Sequence, residues 1–103
     1  MSRKPESRIQ LRIQKAIRTK WPKAYVRKIH GSEFSSGGMA DLVVCIDGYF
    51  IALEVKVDPD DWGSDLQVAD GKEVIRAGGL WAIVTSPEEA ILEINNYLYS
   101  RKR

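Results

Sequence analysis

The stretch DLVVCIDGYFIALEVKV, residues 41–57, decides the fold. It holds two strand-like runs, Asp41 to Ile46 and Tyr49 to Val57, separated by Asp47-Gly48. Asp-Gly between such runs is a two-residue hairpin signal, because a type I′ turn needs positive φ at both central positions. With Asp47-Gly48 as the turn, Ile46 faces Tyr49, Cys45 faces Phe50, Val43 faces Ala52 and Asp41 faces Glu54. Side chains alternate along a strand. One face of the hairpin is then Leu42, Val44, Ile46, Tyr49, Ile51, Leu53 and Val55, wholly apolar and bound for the core. The other carries Asp41, Val43, Cys45, Phe50, Ala52, Glu54 and Lys56, with its polar residues gathered at one end.

Working outward, Pro5 to Lys20 reads as a helix. Ile9, Ile13 and Ile17 recur every fourth residue, Ala16 widens the stripe, and Arg8, Arg12, Lys15 and Arg18 lie off it. Trp21-Pro22 ends it, since a residue before proline is pushed out of the α region. Ala24 to Ile29 is a short strand candidate, and His30 to Gly38 a loop rich in glycine and serine. Beyond the hairpin, Asp58 to Gly63 is an acidic loop. Ser64 or Asp65 caps a helix that runs to about Ala77 and stops at Gly78-Gly79. Leu80 to Thr85 is expected as a buried strand. Ser86-Pro87-Glu88-Glu89 opens a last helix, with a cap, a first-turn proline and a capping-box glutamate. The order is α-β-β-β-α-β-α. A helical crossover precedes Leu80–Thr85, so this strand should run parallel to one hairpin strand.

The chain has 103 residues, a single-domain length, and a formal net charge of only +2. That near-neutrality is a cancellation. Residues 1–30 carry ten basic side chains against Glu6 alone, while residues 31–100 carry Lys56, Lys72 and Arg76 against thirteen acids. A basic arm beside an acidic body fits a polyanion partner together with a site that holds cations, and equally a solvated basic face balanced by an acidic one. Hydrophobic residues make up 44% of the chain, which excludes wholesale disorder, and no apolar run approaches the ~20 residues of a membrane span. The basic start at Arg3-Lys4 has no apolar stretch behind it and Cys45 is the single cysteine. A reducing, cytoplasmic setting is therefore expected.

The chemistry concentrates at the polar end of the hairpin. Two carboxylates opposed on a sheet face, Cβ atoms about 5 Å apart, repel one another. A hard divalent cation compensates well: Mg²⁺ takes one or two carboxylates, keeps several waters and bridges to a phosphate. Lys56, two residues beyond Glu54, reaches the same place. The plainer alternative is a surface salt bridge from Lys56 to either acid. Ser35-Ser36-Gly37-Gly38 leads into Asp41 and lets a bulky partner approach the backbone. Glu6 falls on the inward stripe of the first helix, where a first-turn glutamate also suits the helix dipole. Gln67 opens the helix after the hairpin; by position alone it reads as a solvated polar residue.

Asp41 followed by Glu54-Val55-Lys56 resembles the D…(D/E)-x-K signature of the PD-(D/E)XK nuclease superfamily. The longer pattern is similar to the VRR-NUC (virus-type replication-repair nuclease) family: Glu6 in the first helix, Ser36-Gly37-Gly38-Met39-Ala40-Asp41-Leu42, Glu54-Val55-Lys56, Gln67, and Ala77-Gly78-Gly79 before a strand. Ala40 departs from it, standing where a proline commonly precedes the aspartate. The resemblance runs from Glu6 to about Ser86 and implies a single α/β domain over residues 1–103 with a restriction-endonuclease-like core: a mixed central sheet, a hairpin and flanking helices. It implies cleavage of DNA phosphodiesters with Mg²⁺ or Mn²⁺. Asp41 and Glu54 would be metal ligands, with the Val55 carbonyl and, directly or through water, Glu6. Lys56 would orient or activate the attacking water and Gln67 would position Lys56 or a water.

The expected partner is branched DNA, above all a four-way junction. Arg8, Arg12, Lys15, Ser36, Gly37 and Gly38 would meet the phosphates, and a homodimer would supply two sites for paired cuts. No membrane and no small-molecule substrate is expected. The rival readings are a non-catalytic DNA-binding module on the same fold and a sequence-specific restriction-type nuclease. His30, Cys45, Trp21, Trp62 and Trp81 take structural readings: Cys45 buried beside Phe50, the tryptophans in the core or at an interface.

Overall fold

The structure is a computed structural model and describes residues 5–29 and 38–101. The elements are α1 (Pro5–Lys20), β1 (Tyr25–Lys28), β2 (Leu42–Ile46), β3 (Tyr49–Val55), α2 (Asp65–Arg76), β4 (Leu80–Val84) and α3 (Pro87–Arg101). This is the order expected from the sequence, on an α/β fold with a mixed four-stranded sheet.

The sheet order is β1-β2-β3-β4. The hairpin turns at Asp47 (φ 53°) and Gly48 (φ 87°), the two positive φ values that a type I′ turn requires. Its register pairs Ile46 with Tyr49, Val43 with Ala52 and Leu42 with Leu53, as the Asp-Gly turn dictates. β1 pairs antiparallel to β2, and β4 pairs parallel to β3. The crossover through α2 is what lets β4 run parallel.

The apolar hairpin face is the core. Leu42, Val44, Ile51, Leu53 and Val55 are fully buried, joined by Val84 from β4, Ile13 and Ile17 from α1, and Ala90 and Ile94 from α3. Tyr49 packs at the margin, edge-on to Tyr97 at 6.0 Å between ring centroids. The buried face of α1 is wider than its isoleucine stripe: Gln10 and Gln14 are buried too, because α1 packs against both the sheet and the neighbouring α3. α2 lies on the opposite face, against β4.

Three expectations are corrected. β4 is an edge strand, so Leu80, Trp81 and Ile83 are only half-buried. Cys45 is half-buried opposite an exposed Phe50, because α2 covers the β4 side of that face. The Glu89 carboxylate accepts from the Thr85 N–H and hydroxyl rather than from the Ser86 N–H, while Ser86 Oγ accepts from the Glu89 N–H. Trp62 is exposed and Trp21 packs against the core. His30, Ser36 and Gly37 lie outside the described residues. No helix among the described residues is long and apolar enough to cross a membrane.

Candidate active site

The hairpin ladder ends at Leu42–Leu53, and the polar residues collect just beyond it. Asp41 directly precedes β2, and its backbone carbonyl accepts from the Ile29 N–H at 2.8 Å, which fixes it to the end of β1. Its side chain turns to β3, where Oδ2 accepts from the Val55 N–H at 2.7 Å. Asp41 is thus held one residue off the simple opposition with Glu54, within electrostatic reach of it.

Glu54 has no exposed surface. Its Oε1 accepts from Gln67 Nε2 at 3.2 Å, while Oε2 is buried with no hydrogen-bond partner. A carboxylate oxygen left dry and unpaired is costly, about 1–3 kcal/mol. Burial first, then repulsion from Asp41, pushes the Glu54 carboxyl from 4.5 up to about 7; Lys56 acts in the opposite direction. Burial likewise raises Asp41, against the Val55 hydrogen bond and the charges of Lys56 and Lys28.

Gln67 ties the group together. It is the third residue of α2, and its backbone N–H donates to Ser64 Oγ at 3.2 Å while its Oε1 accepts from the Ser64 N–H at 2.9 Å, a complete capping box. The same Oε1 accepts from Lys56 Nζ at 3.2 Å. One amide therefore caps the helix, holds Glu54 and orients Lys56. The Lys56 ammonium also stands 4.0 Å from Asp61 Oδ2. Gln67, solvated on the reading from position alone, contacts Lys56 as the family resemblance implied, and the alternative of a surface bridge from Lys56 to Asp41 or Glu54 does not form, the ion pair of Lys56 being with Asp61.

The structure brings Asp41, Glu54, Val55, Lys56 and Gln67 to one place. Glu6 stands apart: its Oε1 accepts from Gln10 Nε2 at 3.5 Å. Among the described residues no three acidic, histidine or cysteine side chains gather closely enough to enclose a metal. Gly38 is buried, and a Cβ there would lie 2.8 Å from the Leu66 carbonyl oxygen, so its lack of a side chain serves packing on α2. Arg8, Arg12 and Lys15 are exposed along α1.

The donor set suits a hard cation. Asp41 and Glu54 present carboxylate oxygens, one buried and unpaired, and burial raises the pKa of both carboxyls. Two carboxylates with open positions fit Mg²⁺ or Mn²⁺, which retain waters, better than a metal that demands a full protein cage.

Two features escaped the sequence reading. Lys28, at the end of β1, lowers the Asp41 pKa; the signal was its register beside Leu42. Trp81 acts on Glu54 in the same direction. Its register opposite Ala52 on a strand parallel to β3 places it on the site face.

No family model matches the sequence, and no curated protein does. Solved structures do match the fold. A VRR_NUC domain superposes with a TM-score of 0.68, covering 92% of this chain and 99% of its own at 23% identity. A VRR_NUC domain protein gives a TM-score of 0.65, with 96% and 92% coverage at 16% identity. The architecture is therefore VRR_NUC-like over more than nine-tenths of the chain.

Proposed function

We propose that the protein is a metal-dependent endodeoxyribonuclease of the VRR-NUC type that hydrolyses phosphodiesters in branched DNA. The observation that carries this reading is the buried Glu54 carboxylate, with one oxygen unpaired, beside Asp41 and linked through Gln67 to Lys56. A purely structural role does not account for it, since an apolar residue at position 54 would avoid the cost of burying a charge.

Asp41, Glu54 and the Val55 carbonyl would hold Mg²⁺ or Mn²⁺. When bound, such a cation would supply charge neutralisation at the phosphate and a lowered pKa for a water. The protein's own groups do the rest. The Val55 N–H holds Asp41 in one rotamer. Gln67 Nε2 holds Oε1 of Glu54 and leaves Oε2 free. Lys56, whose ammonium donates to Gln67 Oε1, would orient the attacking water and take part in its proton transfer. Glu6 would contribute only through water. Arg8, Arg12 and Lys15, exposed on α1, would contact phosphates, a readout of shape and charge rather than base sequence. A homodimer would set two such sites across a four-way junction.

The test uses labelled junction, single-stranded and duplex DNA with Mg²⁺ or EDTA, wild type beside Asp41→Ala. Metal-dependent cutting of the junction, lost in the variant, is expected. Binding without cutting would favour a non-catalytic DNA-binding module, and defined cuts in plain duplex a restriction-type enzyme. Sedimentation showing a monomer that cuts duplex as readily as junctions would overturn the branched-DNA dimer.

A further inference from the structure

Trp81 and Gly71 form a feature that the site described above does not use. Gly71 is the one buried residue of α2. A Cβ there would fall 2.2–2.6 Å from three ring carbons of the Trp81 indole, so α2 rests directly on the ring and only glycine fits. Glycine inside a helix costs about 1 kcal/mol relative to alanine. The chain accepts that cost to bring a large ring under the helix.

The ring is not there for apolar burial alone. Trp81 is half-buried, while its Nε1 is wholly buried and has no hydrogen-bond partner. Leucine or phenylalanine would fill the space without a stranded donor. The other stranded atom in this region is an acceptor, Oε2 of Glu54. Trp81 pairs with Ala52 and Ile83 with Glu54 along β3 and β4, so indole and carboxylate stand two residues apart on neighbouring strands and on the same face.

We propose that Trp81 is a positioning residue for Glu54, its indole N–H fixing the Oε2 end of the carboxylate, directly or through one water, as Gln67 fixes the Oε1 end. With both ends held, Glu54 has one rotamer and a lone pair of Oε2 directed to the side of Asp41. Gly71 is the packing condition for this arrangement. The inference rests on the reading of Asp41 and Glu54 as ligands of a divalent cation. It adds a donor that belongs to β4 rather than to the hairpin or α2. Groups of this kind around metal ligands typically change metal affinity ~10-fold or more when removed.

The test needs no DNA. The full chain, labelled with ¹⁵N and ¹³C, is titrated with Mg²⁺ alone, and the Trp81 indole resonance is assigned in the wild type from its through-bond links and its through-space contacts with Gly71. The expected result is that the indole N–H and the Val55 amide shift together, with one dissociation constant. Calorimetry on Trp81→Phe should then give a Mg²⁺ dissociation constant ~10-fold weaker than wild type. A ring that only packs would lower the melting temperature of Trp81→Phe and leave that constant unchanged, which overturns the proposal. So does a wild-type titration in which the Val55 amide shifts and the indole does not, a result that requires no variant to fold. If Mg²⁺ moves neither resonance, the cation site itself fails and the proposal fails with it.

Discussion

Replacing Glu54 by glutamine should make the metal-free protein more stable at pH 8 and no more stable at pH 5. Folding moves this carboxyl from 4.5 up to about 7, mainly by burial and then by Asp41. The folded state therefore binds the proton more tightly than the unfolded state. Stability from this group is whole below the unfolded value, and it is lost as pH rises through about 7. Each tenfold change in proton affinity corresponds to ~1.4 kcal/mol, so ionised Glu54 costs about 3 kcal/mol at pH 8 and under about 1 at pH 5. The glutamine carbonyl still accepts from Gln67, but its amide nitrogen takes the place of Oε2 without an acceptor and gives back about 1 kcal/mol at either pH. The stability difference, variant minus wild type, should thus rise by roughly 2–3 kcal/mol between pH 5 and pH 8. Urea unfolding of the two full chains in EDTA reads this as a gain of roughly 1–2 M in relative midpoint. Subtraction removes the titration of groups that the two chains share. Mg²⁺ should reverse the comparison at pH 8: at a hundred times its dissociation constant it adds about 2.7 kcal/mol to wild type and nothing to the variant. A difference independent of pH, or one that falls as pH rises, refutes the account of Glu54 as a buried, charge-starved carboxylate.

Lys56→Met should lower cleavage at least ~100-fold while Mg²⁺ still binds, as measured by calorimetry and single-turnover cutting of a junction. Ser64→Ala removes the acceptor for the Gln67 N–H and should cost about 1 kcal/mol in thermal or urea unfolding; because Gln67 also holds Glu54 and Lys56, cleavage should fall more than the stability loss alone explains. Arg12→Gln, on the exposed face of α1, should weaken binding to junctions of different sequence alike and lower the slope of log affinity against log salt by about one.

Much of the architecture could be read from local pattern because local chemistry dictated it. Asp47-Gly48 set the hairpin register, and the register sorted every side chain from Leu42 to Val55 onto a face. The helices announced themselves through Pro5, Ser64 and Ser86 at their starts. The site was legible where it sits on that hairpin, at Asp41, Glu54 and Lys56. What depended on three-dimensional burial was not. Periodicity showed that Glu54 faces away from the apolar core, yet the sequence contains no statement that α2 closes over that face and dries it. The role of Gln67 was partly visible in Ser64-x-x-Gln67, a capping-box spacing, but the two further bonds of its amide come from β3 folding beneath it. Glu6 shows what helical phase leaves open. Helical phase put it on the inward side, and the structure gives its oxygen to Gln10. Phase places a residue around a helix axis, whereas a shared ligand requires the right position along it as well.

The capping box at Ser64 and Gln67 also constrains which amino acid can stand at position 67. Glutamate is an equally good capping partner, and it would still accept from the Ser64 N–H and from Lys56. It has no N–H to offer Glu54, and it would add a third negative charge to a pair of acids already starved of cations. Only an amide presents an acceptor to the helix end and a donor to the carboxylate at once. The Ser64 N–H, whose acceptor is that same oxygen, is consequently a reporter. Its hydrogen-exchange rate measures how often the first turn of α2 lets go, and each such opening also detaches Glu54 from Lys56.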